Sequence, residues 1–327
     1  MKQLLLIGVD VSKKTLDLFF KPLELYLKIS NNNHGFKEFK QLLQKHLSCE
    51  MEVLVVMEHT GQYSLQWELF LQNLGIGFCK VSSLHIKRSM GLTRGKSDRI
   101  DAQRIACFAY RHYDQLKADP MTDPQLTELK EMITYREGLV KDSQGHQCRI
   151  KEYMATHTGF SSSPFYKLQQ KRIKELEGYI KQIEHMIKVL IENNPALARS
   201  SKLLRSIKSI GPIVSSVMSA ATGNFTRFSD ARKFNCYSGI APFPYESGSS
   251  IKGRTKVSHL ANKQIKSLLT LAAFNAIQWN KELKAYYLKR VNDGKEPMAV
   301  INIIRAKLVA RMFAVIRRGT PYQPVAA

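Results

Sequence analysis

Apolar residues recur with two different periods along the first third of the chain, and these periods predict strands alternating with helices. The segments LLLIGVD, TLDLFF, LELYLKIS, EVLVVME and IGFCKVS have the short apolar or alternating composition of strands. The segments GFKEFKQLLQKHL, YSLQWELFLQNLG and SDRIDAQRIACFAYRH instead have the apolar spacing of amphipathic helices. The predicted order is therefore three strands, a helix, a strand, a helix, a strand and a helix.

The middle of the chain predicts two long helices. One helix is expected over residues 124–157, and a second follows the break GFSSSP at 159–164. A seam of apolar residues three to five positions apart runs along the second helix and consists of Leu168, Ile173, Leu176, Ile180, Ile183, Ile187 and Leu190. Such a seam is typical of a coiled coil that joins subunits, and an intramolecular helical hairpin is the alternative.

These patterns divide the chain into three predicted domains of the α/β plus α class. The element order over residues 1–113 is the one expected of a ribonuclease-H-like (RuvC-like) α/β domain. Residues 114–196 are expected to form the helical coiled-coil segment, and residues 197–327 a mainly helical C-terminal domain.

Positive charge is concentrated in the C-terminal domain, which indicates a polyanionic partner. The formal net charge is +23, and residues 197–327 hold 22 Lys/Arg against five Asp/Glu. Residues 1–113 carry a net +6, and residues 114–196 are neutral. Because neutralising phosphates releases condensed counterions, nucleic acid is the expected partner, and a basic membrane-surface protein is the rival interpretation.

Other features of the composition restrict the compartment. The sequence has no run of about 20 apolar residues, so no transmembrane helix is expected. The start MKQLLLIGVDVSKK is apolar for only about seven residues, which is the pattern of a strand and not of a signal peptide. The five cysteines are far apart and include no CxxC pair, which argues against disulfides and zinc. We therefore expect a reducing, cytoplasmic environment and association with the nucleoid.

Four carboxylates occupy positions where a metal site is expected. Asp10 and Glu58 end two apolar strand segments, at the rim of the sheet where functional groups concentrate. Asp98 and Asp101 lie three residues apart in a predicted helix and so share one face. Hard cations such as Mg²⁺ take oxygen ligands, and several carboxylates must converge to hold them. One such carboxylate alone is more often a capping residue, so the prediction depends on the set.

A serine beside a basic run is the candidate nucleophile. From Ser247 to Lys281 the chain has no Asp or Glu and six basic residues. Among these, the predicted phosphate contacts are Lys252, Arg254, Lys256 and Lys263. A serine hydroxyl attacks phosphorus only when its proton is removed or the leaving group is stabilised, which a metal and Arg254 could provide. The alternative is that Ser247 is an ordinary residue of a Gly/Ser-rich loop.

Taken together, these residues resemble the DEDD transposases of the IS110 insertion-sequence family, and the likeness covers nearly the whole chain. GVDVSKKTLD is similar to the first motif of that family, VMEHTGQY to the second and KSDRIDAQRIA to the third. The family's D, E, D and D correspond to Asp10, Glu58, Asp98 and Asp101.

The C-terminal block SIGPIVSSVMSAATGNFTRFSDARKFNCYSGIAPFPYESGSS is similar to the transposase domain of the same family. Its Ser247–Gly248, a few residues after Gly239 and Pro242, matches the place of the catalytic serine. Ser238 stands where members have a small apolar residue and is a rival nucleophile. This chain has HLAN at 259–262, where members of the family commonly have Lys-x-Gly-Asn. Its SIGP segment is a reduced form of the family's usual Pro-Gly-Ile-Gly hairpin, which is expected to bind DNA.

The resemblance implies a mechanism, a cofactor and partners. The ribonuclease-H-like domain would coordinate Mg²⁺ through the four carboxylates, and Ser247 would form a covalent phosphoserine with DNA. The partners would be donor and target DNA and a bridge RNA encoded in the element, whose base pairing reads the sequence. The coiled coil would help to join subunits into a dimer or tetramer, and no membrane partner is expected.

Two other functions remain open from the sequence. One is a Holliday-junction-resolvase-like nuclease that uses the four carboxylates and water without a covalent intermediate. The other is a non-catalytic nucleic-acid-binding module with a degenerate nuclease fold. Ser247 discriminates against the first because a hydrolase does not need it, and the four carboxylates argue against the second.

Overall fold

The computed structural model of the chain contains two compact units, residues 1–122 and residues 123–327. The structure describes residues 3–46, 51–59, 61–91, 95, 97–121, 123–247 and 251–323. In these ranges we find no helix with the length and apolar character needed to span a membrane.

The first unit is built on a mixed five-stranded sheet with the order β3-β2-β1-β4-β5. The central strand β1 pairs antiparallel with β2 and parallel with β4. Outside these, β3 is antiparallel to β2, and β5 is parallel to β4. The strands are β1 (Gln3–Val11), β2 (Thr15–Lys21), β3 (Leu25–Ser30), β4 (Met51–Glu58) and β5 (Gly77–Val81).

Helices cover both faces of this sheet. Alternate residues of β1 point to opposite faces, so that Leu5 and Ile7 join one core and Leu6 the other. An aromatic cluster around Trp67 fills the first core, and Ile105 and Phe108 fill the second. The described helices of this unit are α1 (Asn33–His46), α2 (Leu65–Asn73), α3 (Ser83–Ser89) and α4 (Asp98–Arg111). The short helix α3 was absent from the sequence prediction, because only one of its residues is buried.

Helix α4 touches the backbone of β1 at Gly8. A Cβ atom built on Gly8 would lie 2.2 Å from the backbone nitrogen of Ala106 and 2.5 Å from the carbonyl oxygen of Ala102. Both alanines are fully buried and pack with Phe19 of β2. Small residues on strand and helix therefore bring the two backbones together, and this fixes the position of α4 over the sheet.

The second unit is mainly helical in its described part. Its helices are α5 (Pro124–Thr156), α6 (Pro164–Asn193), α7 (Pro195–Arg205), α8 (Pro212–Thr222), α9 (Ala231–Tyr237), α10 (Lys263–Trp279), α11 (Lys281–Asn292) and α12 (Pro297–Arg318). The SIGP segment forms the turn between α7 and α8, with Ser209 at a φ of 82°.

A two-stranded hairpin lies between α9 and α10. Its strands are β6 (Pro242–Ser247) and β7 (Ile251–Val257), and they pair antiparallel with an irregularity between Phe243 and Tyr245. The composition of this part of the mainly helical domain predicts a Gly/Ser-rich loop. The hairpin corrects that prediction, and residues 248–250 between the strands lie outside the described residues.

The apolar seam of α6 is internal to the second unit. Ile173, Leu176, Ile183 and Ile187 are buried, and α6 packs along α5 as a helical hairpin. The core of the unit also contains side chains from the C-terminal helices, so the predicted coiled-coil segment shares one core with them. The intramolecular hairpin left open by the sequence is therefore the arrangement observed, and only the outlying Leu168 of the seam is strongly exposed, at 63%.

Replacing Gly8 with alanine should destabilise the first unit by about 3 kcal/mol, because the added methyl group meets backbone atoms that cannot turn aside. The free energy of unfolding from chemical denaturation measures this loss. Gly77→Ala is the matched control in the same sheet, since its Cβ would lie 3.4 Å from the side chain of Ala118, an ordinary contact. Equal effects of both substitutions would contradict the close contact between α4 and β1.

Candidate active site

Four carboxylates predicted from the sequence lie around the end of β1 in the first unit. Asp10 shares the face of β1 that carries Gly8, and Glu58 is the last residue of the neighbouring parallel strand β4. Asp98 begins α4, and Asp101 lies in its first turn. Because α4 is held against β1 at Gly8, its first turn lies near Asp10.

The electrostatic environment of Asp10 agrees with this placement. The pKa of Asp10 is raised from 3.8 to about 6, first by burial and then by the negative charges of Asp101, Asp98, Glu58 and Asp17. Burial also raises the pKa of Glu58; the positive charge of Lys87 opposes this shift, and the negative charge of Asp101 adds to it. Like charges have such effects only at short range, so the structure gathers the predicted residues into one acidic cluster.

Nearby cations offset part of this negative charge. The Nζ atom of Lys28 lies 3.4 Å from a carboxylate oxygen of Asp17 and 3.6 Å from one of Asp98. A guanidinium nitrogen of Arg104 lies 3.0 Å from a carboxylate oxygen of Asp101. These ion pairs attach the first turn of α4 to the sheet and to its own second turn.

Asp17 is the member of the cluster that sequence analysis missed. It lies opposite Asp10 in the β1–β2 register, is 1% exposed and accepts a hydrogen bond from the Tyr26 hydroxyl. The signal in the sequence was an aspartate inside TLDLFF, where both faces of the strand are buried. An acidic residue at such a position needs partners, and Tyr26 and Lys28 supply them.

The carboxylates are near one another without forming a finished coordination sphere. Among the residues that the structure describes, no three His, Cys, Asp or Glu side chains are arranged as a group able to hold a metal ion. The ion pairs of Asp98 and Asp101 turn these carboxylates toward Lys28 and Arg104.

The hairpin of the second unit carries the predicted serine. Ser247 is the last residue of β6, and its side chain lies outside the described residues. The same holds for the side chains of Lys252 and Arg254 on β7. Lys256, also on β7, and Lys263 at the start of α10 are exposed.

Ser238 is in a poor position to act as the rival nucleophile. It caps the C-terminus of α9 and is 0% exposed. Its hydroxyl donates to the carbonyl oxygen of Phe234 at 2.9 Å. A buried hydroxyl that already bonds to a helix carbonyl is not available to a phosphate.

The base of the hairpin is held by close packing at Gly239. This residue has a φ of 69°, and a Cβ atom on it would lie 2.3 Å from that of Ala261. The backbone nitrogen of Asn262 donates to the carbonyl oxygen of Tyr237 at 3.0 Å. The turn before β6 and the HLAN segment after β7 therefore contact each other directly.

Two family models match the chain in separate segments. Residues 7–158 match a DEDD model of IS110 elements that is described as "Transposase". Residues 201–288 match a model described as "Transposase IS116/IS110/IS902 family". The first match contains the acidic cluster, and the second contains the hairpin with Ser247.

Curated relatives extend the similarity over the full length. The pilin gene-inverting proteins of Moraxella bovis and Moraxella lacunata are 26% and 25% identical to this chain over 328 aligned positions, which cover 97% of each protein. An insertion element IS110 uncharacterized 43.6 kDa protein of Streptomyces coelicolor is 28% identical over 141 residues, 43% of this chain and 34% of that protein. The two family models and these relatives agree, and the chain belongs to the IS110 family of transposases, which are DNA recombination enzymes.

Proposed function

We propose that this transposase cuts and rejoins DNA at the ends of an insertion sequence and at its target, with a divalent metal and a serine nucleophile. Asp10, Glu58, Asp98 and Asp101 hold Mg²⁺, and Ser247 attacks the scissile phosphate. The observation that carries the proposal is the acidic cluster at the end of β1, where burial and then the charges of the other carboxylates raise the pKa of Asp10.

The sheet supports a ribonuclease-H-like assignment for residues 1–113. Its order β3-β2-β1-β4-β5, with β2 antiparallel to both neighbours and β4 and β5 parallel to β1, is the order of that fold. The same proposal places a functional boundary at residue 196, between the predicted domains 114–196 and 197–327. This boundary separates the α5–α6 hairpin from the segment that carries Ser247.

The acidic cluster fits a hard divalent cation. Its donors are carboxylate oxygens, the ligands that Mg²⁺ prefers. Lys28 and Arg104 neutralise the negative charge of the cluster only in part. The remaining repulsion between its carboxylates contributes, after burial, to the raised pKa of Asp10. DEDD transposases typically use a divalent metal, which agrees with this donor set. When bound, Mg²⁺ polarises the phosphate and stabilises charge that develops on its oxygens.

The serine step conserves the energy of the phosphodiester bond. The Ser247 oxygen forms a bond to phosphorus, the bond from phosphorus to the leaving sugar oxygen breaks, and the serine proton passes to a base or to solvent. A sugar hydroxyl of the new partner strand later displaces the serine. The Moraxella relatives are named for inverting a gene, which requires rejoining as well as cutting, and this supports a covalent intermediate over hydrolysis.

The positive charge of the C-terminal segment and the exposed apolar side chains of α5 and α6 indicate the partners that we propose. DNA, donor and target, is the substrate, and an element-encoded bridge RNA is proposed as the guide. The 22 basic residues in 197–327 support binding of more than one strand of polyanion. Assembly into a dimer or tetramer would use exposed apolar side chains of α5 and α6, such as Tyr135, Tyr179 and Met186, because the seam is buried.

Asp10→Asn should stabilise the metal-free protein at pH 8. The folded protein holds the Asp10 proton with a pKa of about 6 against the ordinary 3.8, so this stabilising contribution is complete below pH 4 and is lost as pH rises through 6. The asparagine removes the penalty of ionisation, and the gain is at most about 3 kcal/mol at pH 8. Thermal denaturation in EDTA at pH 4 and pH 8 measures it. A variant that is less stable at pH 8 would contradict the electrostatic account.

Asp10→Asn and Asp101→Asn should each lower DNA cleavage at least about a hundredfold, because each removes a charged metal ligand with little change of shape. Single-turnover cleavage with Mg²⁺ measures the loss. Asp114→Asn, an exposed acid of the same unit, is the control and should cleave normally. Wild-type rates in both cluster variants would eliminate the metal-site assignment.

Ser247→Ala should abolish a covalent protein–DNA adduct on denaturing gels, because the proposal assigns the phosphoester to the Ser247 hydroxyl. Ser238→Ala should keep the adduct, since its hydroxyl is buried against α9. Divalent-metal binding should survive in Ser247→Ala, because the carboxylates belong to the other unit. Efficient cleavage by the wild type that leaves only hydrolysed ends would instead indicate a resolvase-like nuclease.

A further inference from the structure

Arg305 is a buried cation in the middle of α12. It is 5% exposed, and its Nε atom has no hydrogen-bond partner. A terminal nitrogen of its guanidinium donates to the neutral side-chain oxygen of Asn302 at 3.1 Å. Burial lowers the pKa of Arg305, and no negative charge contributes to raising it. Buried guanidinium groups are ordinarily paired with an anion.

The acidic residues of the C-terminal segment are engaged elsewhere. Asp230 caps α9, and Glu296 caps α12. Glu282 pairs with Arg311 at 2.6 Å, and Asp293 lies 3.9 Å from Arg290. Glu246, the remaining acid after residue 196, is exposed on β6. None of these five acids therefore pairs with Arg305, and no acid in the described part of the unit raises its pKa.

Lys266 of α10 adds a second cation beside Arg305. Helix α10 packs against α12, and the pKa of Lys266 is lowered by burial and by the positive charge of Arg305. Its side chain is partly exposed, whereas that of Arg305 is not. The two like charges repel, and an anion bound near both would reduce the repulsion.

This pair of cations is connected to the base of the β6–β7 hairpin. The side-chain nitrogen of Asn302, whose oxygen holds Arg305, donates to the carbonyl oxygen of Ile240 at 2.8 Å. Ile240 lies in the turn that leads into β6, the strand that ends at Ser247. The site therefore belongs to the part of the basic segment that carries the proposed nucleophile.

We propose that Arg305 and Lys266 together bind one phosphodiester group of the nucleic acid that the second unit handles. Lys266, the more exposed of the two, would contact the phosphate first, and Arg305 would add a planar set of donors suited to phosphate oxygens. The proposal rests on the proposed function for the presence of nucleic acid, but it does not depend on the chemistry of Ser247 or of the metal.

The test measures stability and binding in the same variants, full length and in EDTA so that no cleavage occurs. Arg305→Met keeps the length of the side chain and removes its unpaired charge. The melting temperature of the free protein should therefore rise by about 2–4 °C, a shift typical of units of this size. Affinity for duplex DNA or structured RNA should nevertheless fall about tenfold, and the slope of log K against log salt should decrease by about one.

Lys266→Met should lower the slope by a similar amount, because it removes a contact to the same phosphate without touching Asn302. Arg311→Met is the matched control on the same helix. Arg311 already pairs with Glu282, so this change should leave the slope unaltered. Parallel titrations with duplex DNA and with structured RNA distinguish the two sources of phosphate, and the polymer whose slope changes is the ligand.

A merely structural Arg305 gives the opposite pattern. Its removal would then lower the melting temperature by releasing Asn302, and Lys266→Met would leave the slopes for both polymers unchanged. Unchanged slopes in Lys266→Met overturn the proposal whatever the stability of Arg305→Met. Loss of the serine adduct in a separate assay would refute the proposed chemistry without altering these slopes, so the two failures are distinguishable.

Discussion

The contact of α4 with β1 at Gly8 sets the geometry on which the acidic cluster depends. A helix can approach a strand this closely only where the strand residue lacks a Cβ atom and the helix residues are small, as Ala102 and Ala106 are. Asp10 follows Gly8 on the same face of the strand, and α4 begins one turn before Ala102. A residue without chemistry of its own thus determines how near the carboxylates of strand and helix come.

Each unit holds unbalanced charge that its packing tolerates. In the first, burial and like charges raise the pKa of Asp10. In the second, Arg305 is buried without an acid, and Lys266 repels it. Such arrangements lower the folding stability of the free protein and are typical of sites that bind a ligand of the opposite charge. The two units would take different ligands, a cation in the first and a phosphate in the second.

The sequence predicts elements with strong periodicity and misses those set by tertiary contacts. The strands of the first unit and the helices α5 and α6 could be predicted, because many residues in each repeat one pattern. The β6–β7 hairpin could not, since its Gly- and Ser-rich composition is that of a loop, and its base is held by the distant Ala261 and Asn302. Asp10, Glu58, Asp98 and Asp101 could be proposed from their positions at element ends. Asp17 and Arg305 could not, because only the fold shows that one joins the cluster and that the other has no acid beside it.

A divalent metal bound at the acidic cluster, as proposed, would make cation binding and DNA binding interdependent. Several carboxylates around one point repel a phosphate group, so DNA approaches this end of β1 poorly while the cluster keeps its charge. A cation that neutralises the cluster favours the phosphate, and by thermodynamic reciprocity the phosphate favours the cation by the same factor. The first unit would thus bind the divalent ion tightly mainly when DNA is already bound.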